Sequence, residues 1–271
     1  MGTQSTVQTT KGHAPRLGAR VLQAFCRPVE APEYIGGTVT ATVDSALDFL
    51  VRAVPDFMAI TARRSILDFG CGFGLQAAAL ARLGRDVTGL DLPRDVFAAS
   101  WRRLMDAYPT LRLTTEVPSR TFDVIYSCSS FEHFADPAHV LTLMRERLKP
   151  DGLLVIAFAE PWFSPRGHHM SDFTRLPWVN LLFREADVMT VRASYHPDGA
   201  TRYEDVEGGL NRMTVARFER LMRDSGMRVR SLRRIPVKNL PVVTRIPMLR
   251  ELLTASCSAV LEEAGIRPVP R

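Results

Sequence analysis

Residues 65–74 read Ser-Ile-Leu-Asp-Phe-Gly-Cys-Gly-Phe-Gly, and the alanine- and leucine-rich run Leu75-Gln-Ala-Ala-Ala-Leu-Ala-Arg-Leu83 follows at once. A short apolar stretch that runs into glycines and then into a helix former predicts a buried strand, a sharp turn and a helix. Gly70 and Gly72 have no Cβ, so the backbone can bend tightly there and a ligand can come close to it. The helix behind the turn begins with unpaired N–H groups. Leu75 stands where a GxGxxG dinucleotide fingerprint would place its third glycine. An acid, Asp68, precedes the turn. A pyrophosphate has no need of a carboxylate there, whereas a cationic amino-acid group does, so the spacing and the acid together argue against a nicotinamide cofactor.

Outward from this turn the chain alternates. Asp86–Leu90 predicts a second strand, Pro93 opens a helix reaching about Tyr108, and Leu111–Leu113 predicts a third strand. Phe122–Tyr126 predicts a fourth strand, 137–148 a helix stopped at Lys149-Pro-Asp-Gly152, and 153–159 a continuous apolar strand. Strands of this kind, alternating with helices and apolar on both faces, predict a doubly wound and mostly parallel sheet with helices on both sides. Upstream, apolar residues recur at helical spacing from Val43 to Ile60, with Pro55 ending or kinking that helix. After Glu160 the rhythm breaks. Residues 161–209 carry Trp162, Phe163, Phe173, Trp178, Tyr195 and Tyr203 among Pro, Gly and His, which reads as a lid or substrate-binding insertion. The pattern resumes with a helix over 214–225 and a strand over 227–234. A last helix is expected over 248–263, with a final antiparallel strand sought in 237–243. The implied organisation is an N-terminal tail and cap segment (1–40), a cofactor-binding core (41–160), an insertion (161–210) and a C-terminal completion of the core (211–271).

Asp91, in Gly89-Leu-Asp-Leu92, ends the second strand some twenty residues past the turn, where such folds hold a ribose through an acid. A carboxylate can accept from both ribose hydroxyls, and Leu92 can lie against the adenine. Asp91 has a competing role as a helix cap before Pro93.

Together, Asp68–Gly74 (DFGCGFG), Gly89–Leu92 (GLDL), the segment FDVIYSCSSFEHFADP over 122–137 and LKPDGLLVIAF over 148–158 resemble the successive motifs of class I S-adenosylmethionine-dependent methyltransferases. The resemblance spans about 66–159, and more loosely 211–234. It implies a Rossmann-like sheet of the seven-stranded type with S-adenosyl-L-methionine as cofactor. Asp68, Gly70, Cys71 and Gly72 would hold its methionine part, Asp91 and Leu92 its ribose and adenine, and Cys128 would lie near the sulfonium. Many members carry an acid after the third strand against the adenine amino group; here Glu116 is the substitute on offer.

Methyl transfer from a sulfonium needs alignment and exclusion of water, and a base only where the acceptor must lose a proton. His133, in the loop after the fourth strand, and His168 and His169, in the insertion, are the candidate catalytic groups, with loop hydrogen bonding or helix capping as the plainer role. Glu132, His133 and His168 or His169 could also bind a metal, as in small-RNA 2′-O-methyltransferases with Glu-x-x-Glu-His; Ser129 stands where the first Glu would be, and no metal is expected. Arg166 or Arg175 could pair an anionic group of the acceptor.

Composition narrows the remaining classes. The chain has 271 residues, a formal net charge of +6 and a mean hydropathy of −0.03, ordinary for a globular protein that needs no disulfide framework. Its 4 cysteines are scattered and form no CxxC pair, which suits a reducing compartment. There is no apolar run long enough for a bilayer and no signal-peptide core at the start, so a cytoplasmic location without stable membrane insertion is expected. Gly2 and Thr6 fit a short myristoylation pattern, read here as part of an unmodified polar tail. Arginines crowd the C-terminal region between Arg217 and Arg250, and a solvated face accounts for them. With no appended nucleic-acid module, the expected acceptor is a small molecule, modified on O, N or C. A methyltransferase of RNA or another macromolecule, a catalytically silent cofactor-binding protein and a dehydrogenase are the alternatives. The oligomeric state is left open.

Overall fold

A computed structural model describes residues 16–28, 42–206, 208–239 and 246–264; the tail with Gly2 and Thr6 lies outside them. Seven strands form one sheet in the order β3-β2-β1-β4-β5-β7-β6, where β1 is Ser65–Phe69, β2 Asp86–Leu90, β3 Leu111–Thr114, β4 Phe122–Cys128, β5 Leu148–Ala159, β6 Arg228–Pro236 and β7 Thr254–Glu262. The first five are parallel, and β7 lies antiparallel between β5 and β6. The central strands are buried on both faces, which is why they read as continuous apolar runs. Strand order reverses between β1 and β4, so their carboxyl ends diverge and leave a crevice there.

Helices cover both faces. On one side α2 (Asp48–Ala53), α3 (Phe57–Ile60), α4 (Leu75–Arg82) and α5 (Asp95–Ala107) close a core that includes Leu50, Phe57, Ile66, Leu80 and Val124. On the other, α6 (Pro137–Glu146) and α9 (Val215–Asp224) pack Leu141, Met144, Phe218 and Met222 against Leu67, Ile125 and Phe158. Asp136 caps α6 by accepting from the N–H groups of Ala138 and His139, with Pro137 in its first turn. Thr214 caps α9 in the same way through Arg217 N–H.

Three details depart from expectation. The helix expected over Val43–Ile60 is two short helices, α2 and α3, interrupted at Val54-Pro55. The helix expected over 248–263 is a seven-residue helix, α10 (Pro247–Leu253), that turns directly into strand β7. Thr254-Ala-Ser-Cys-Ser-Ala-Val260 is small and β-branched, and almost all of it is buried. Seated between two strands, it satisfies its backbone groups on both edges, which a helix there could not do for its neighbours. The final antiparallel strand sought in 237–243 is therefore this β7; residues 237–239 form a short turn with Lys238 in the left-handed region, φ 54°, and 240–243 lie outside the described residues.

The insertion after β5 has its own apolar core. Short helices α7 (Val179–Leu182) and α8 (Glu185–Arg192) pack Val179, Val188 and Val191 with Met170, Phe173 and Tyr203. The N-terminal helix α1 (Leu17–Gln23) completes that core with Ala19 and Leu22. A hydrogen bond from Arg27 N–H to Phe173 carbonyl and another from Tyr195 hydroxyl to Arg27 carbonyl fasten the chain beyond it.

Candidate active site

The glycine turn is built by its neighbours. Gly70 and Cys71 both donate N–H to the Leu90 carbonyl, 2.8 and 3.0 Å, and so fold the turn over the end of β2. At Gly70, φ is +83°, and a Cβ would stand 2.7 Å from Ser130 Cβ, so only glycine fits. Ser130 in turn donates to the Gly70 carbonyl at 2.7 Å and ties the loop after β4 to the turn. From α5, the Trp101 indole donates to the Gly72 carbonyl at 2.8 Å and Ser100 to the Phe73 carbonyl at 2.9 Å. Gly72, with φ +52°, has open space where a Cβ would be, which leaves its backbone accessible from the crevice.

That crevice is a cleft of about 490 Å³, within the ~300–1,000 Å³ usual for small-molecule sites. Gly70 and Gly72 form its floor, Asp91, Leu92, Thr115 and Val117 one wall, and Ser129, Ser130, His133 and Phe134 the other. Asp91 accepts from Gly72 N–H at 2.6 Å through Oδ2 and from Leu92 N–H at 2.7 Å through Oδ1. Its carboxylate is thereby aimed by backbone groups while remaining half-buried on the cleft wall. Leu92 is exposed, at 70%, and lines the cleft with an apolar side chain.

Asp68 is the electrostatic anomaly. It is 1% exposed, and neither carboxylate oxygen has a hydrogen-bond partner. Burial pushes its pKa up to about 7; the nearby Tyr126 hydroxyl counters part of the rise and the Asp91 charge adds to it. A buried carboxyl at the end of β1 whose oxygens accept no hydrogen bond is costly by itself, and a cation placed against it would offset that cost. Cys71 and Cys128 lie on the other side of the turn and line an adjoining pocket of about 210 Å³ that shares Gly70, Gly72, Ser129 and Ser130 with the cleft. Burial pushes the Cys128 thiol up to about 12, and Gln76 Nε2 lies 3.3 Å from its sulfur. Neither thiol is a nucleophile in this state.

Of the three candidate histidines, His133 lines the cleft and His168 and His169 do not. His133 Nδ1 lies 2.6 Å from the Gly209 carbonyl. A carbonyl only accepts, so Nδ1 carries the proton and Nε2 keeps the lone pair. Burial holds the His133 pKa below its ordinary value; the Gly209 contact opposes this and the Arg94 charge reinforces it. His169 stands edge-on behind His133, ring centroids 5.7 Å apart, with Nε2 3.2 Å from the Glu160 carbonyl. Burial, with His133 adding to it, lowers the His169 pKa to about 4. His168 turns into the insertion, 1% exposed, its Nδ1 accepting from Met170 N–H. Burial lowers its pKa to about 4, so it is neutral, and it does not line the cleft.

Glu132 is 4% exposed, and burial, with Glu160 nearby, raises its pKa to about 8. Among the described residues no three His, Cys, Asp or Glu side chains are arranged to hold a metal ion. Glu116 is exposed and not on the cleft wall; its neighbours Thr115 and Val117 are. Arg166 and Arg175 are exposed and off the cleft wall as well.

The sequence motifs did not disclose Ser130, Thr115, Val117 or Gly208. Ser130 carries a weak signal, a small polar residue just past an apolar strand. Gly208 carries none: the chain leaving the insertion arrives at His133, with φ +84° and a would-be Cβ 3.3 Å from Nδ1. The residues present fit S-adenosylmethionine: an orphaned buried carboxyl beside an open glycine backbone, and a second, oriented carboxylate next to an apolar shelf.

Comparison with known proteins agrees. A methyltransferase-domain family matches residues 43–232. A stretch of 96 residues is 40% identical to a ubiquinone biosynthesis O-methyltransferase of Cereibacter sphaeroides, covering 33% of this chain and 39% of that protein. The match thus spans well under half the length of that relative. An S-adenosylmethionine-dependent methyltransferase from Mesorhizobium loti superposes with a TM-score of 0.51 at 17% identity, over 81% of this chain and 99% of that one. The glycopeptide N-methyltransferase MtfA, solved with S-adenosylmethionine, gives 0.51 at 15% identity, over 94% and 100%; at such identities the likeness is one of fold. With that fold, and with the family matching the greater part of its length, the chain belongs to the class I S-adenosylmethionine-dependent methyltransferases.

Proposed function

We propose that the protein transfers the methyl group of S-adenosylmethionine to a hydroxyl of a small organic acceptor. The observation that carries this reading is His133: its Nδ1–H is committed to the Gly209 carbonyl, and its ring lines the same cleft as the glycine turn. A cleft-wall imidazole with a fixed tautomer and an unprotonated Nε2 is a general base, and a hydroxyl is the acceptor that needs one. The matched relative is named as an O-methyltransferase, which supports the same chemistry.

Bound S-adenosylmethionine supplies a methyl on a positively charged sulfur that departs as a neutral thioether, so no residue has to protonate a leaving group. Asp68 is the counter-charge for the cofactor's ammonium, and Gly70 and Gly72 let the methionine part lie on the backbone. Asp91 accepts from the ribose hydroxyls, with Leu92, Thr115 and Val117 against the base. Phe69, Phe134 and Val140 make the wall beside His133 largely apolar, which excludes water and keeps the acceptor oxygen as the nucleophile. His133 Nε2 takes the hydroxyl proton as the oxygen–carbon bond forms. The buried His169 behind it stays neutral and so does not compete for that proton.

Calorimetric titration with S-adenosylhomocysteine, with NADH in parallel, tests the cofactor; micromolar binding of the first alone is expected. Methyl-labelled cofactor with a panel of phenols, aliphatic alcohols and amines then tests the acceptor. Label transferred to the amines alone overturns the hydroxyl reading.

A further inference from the structure

Helix α1 has three faces. Ala19 and Leu22 are buried, at 2% and 0%, in the core of the insertion. On another side stand Leu17, Val21 and Phe25, 76%, 43% and 58% exposed. They are spaced four residues apart along the helix and the turn that continues it, and residues at that spacing share one stripe. Exposed Arg16 and Arg20 lie beside this stripe, on the flank between it and the buried face. Gly18 faces Asp187, whose carboxylate is buried under the helix and offers the outer surface no charge. Leu181 and Leu182, 43% and 62% exposed, end α7 on the same insertion.

A globular fold has no reason to keep three large apolar side chains in line on a helix that has already buried its inner face, and such stripes mark contact surfaces. We infer that α1 is an interfacial helix that adsorbs the insertion onto an anionic lipid surface. Charge and shape select that occupant. The stripe is flanked by arginine, whose long side chain can lie along apolar surface while its head reaches lipid phosphate. The chain as a whole carries +6. An apolar face bordered by basic residues is the composition of helices that lie in the bilayer interface. None of the helices described is long and apolar enough to cross a membrane, so the attachment is peripheral. Because the insertion also delivers Gly208 and Gly209 to His133, the adsorbed surface belongs to the unit that borders the cleft.

Flotation of the full chain with vesicles tests this and requires neither cofactor nor turnover. With equal parts phosphatidylglycerol and phosphatidylcholine at low salt the protein rises with the lipid; with phosphatidylcholine alone it stays behind, and added salt releases it. Leu17→Glu/Phe25→Glu cuts the floated fraction at least tenfold while thermal unfolding and S-adenosylhomocysteine binding stay as in the wild type. Arg16→Glu/Arg20→Glu, which leaves every apolar contact in place, does the same and guards against misfolding of the first variant. The inference is overturned if the wild type floats with neither vesicle, or if both variants float undiminished. It is also overturned if light scattering shows a dimer that Leu17→Glu/Phe25→Glu dissolves, since the stripe would then belong to a second copy of the chain.

Discussion

Replacing Asp68 by Asn separates the cost of burying its carboxyl in the cofactor-free fold from the cofactor binding proposed for it. Burial raises the Asp68 pKa from an ordinary 3.8 to about 7. Between those values the unfolded chain releases its proton while the folded chain keeps it, so stability falls as pH rises, and the loss is complete above about 7. At 1.36 kcal/mol per pH unit the full loss is on the order of 4 kcal/mol. About 1.6 kcal/mol of it is already present at pH 5, so about 2.5 kcal/mol accrues between pH 5 and pH 8. Asn has nearly the same shape and no charge to lose. Its own unpartnered amide carries a cost, but one that does not change with pH. Urea unfolding of the wild type and Asp68→Asn, both without cofactor, should therefore show the stability difference moving by about 2.5 kcal/mol in favour of Asn from pH 5 to pH 8. Calorimetry at pH 8 should show S-adenosylhomocysteine binding weakened tenfold to a hundredfold, from the loss of a charge-assisted bond of about 1.5–3 kcal/mol. A stability difference that ignores pH, or a variant that binds as the wild type does, would refute the assignment of Asp68 as a buried counter-charge awaiting a cation.

Asp91→Ala should also weaken S-adenosylhomocysteine by about 1.5–3 kcal/mol, because it removes the ribose acceptor and frees the N–H groups of Gly72 and Leu92 that orient it; unchanged affinity in calorimetry contradicts this. His133→Ala should lower kcat on the order of a hundredfold or more and leave cofactor affinity intact. Since burial holds the His133 pKa below its ordinary value, the wild-type rate should rise with pH to a plateau, with its midpoint below that of an ordinary imidazole, and a variant that keeps both rate and profile removes His133 from the mechanism. Glu219 is 6% exposed and is paired with Arg234 and, at 3.5 Å, with Arg250. Arg234→Met should cost about 2–3 kcal/mol in chemical denaturation by leaving a buried carboxylate half-compensated, with no effect on cofactor binding.

The elements legible in the sequence were those whose information is local. The strand–glycine–helix unit at 65–82 could be read because the turn demands positive φ at Gly70 and Gly72 and because β1 is buried on both faces. Asp68 and Asp91 stood out as acids at strand ends. The strand β7 was not legible, because Thr254–Glu262 is a strand by virtue of the gap between β5 and β6 that it fills; its own residues read as well for a helix. The cleft wall was partly hidden for the same reason. Thr115, Ser130 and Gly208 come from three separate connections, and only the fold of the chain makes them neighbours. The three histidines were equal as letters. Tertiary packing distinguished them, giving His133 a carbonyl partner and a place on the cleft, setting His169 behind it and burying His168. The sequence by itself determined the five parallel strands, the glycine turn and the two acids beside it, since periodicity and backbone freedom are properties of neighbouring residues. Which imidazole can accept a proton, and which helix covers the insertion, were decided by contacts between residues far apart in the chain, and those exist only once it has folded.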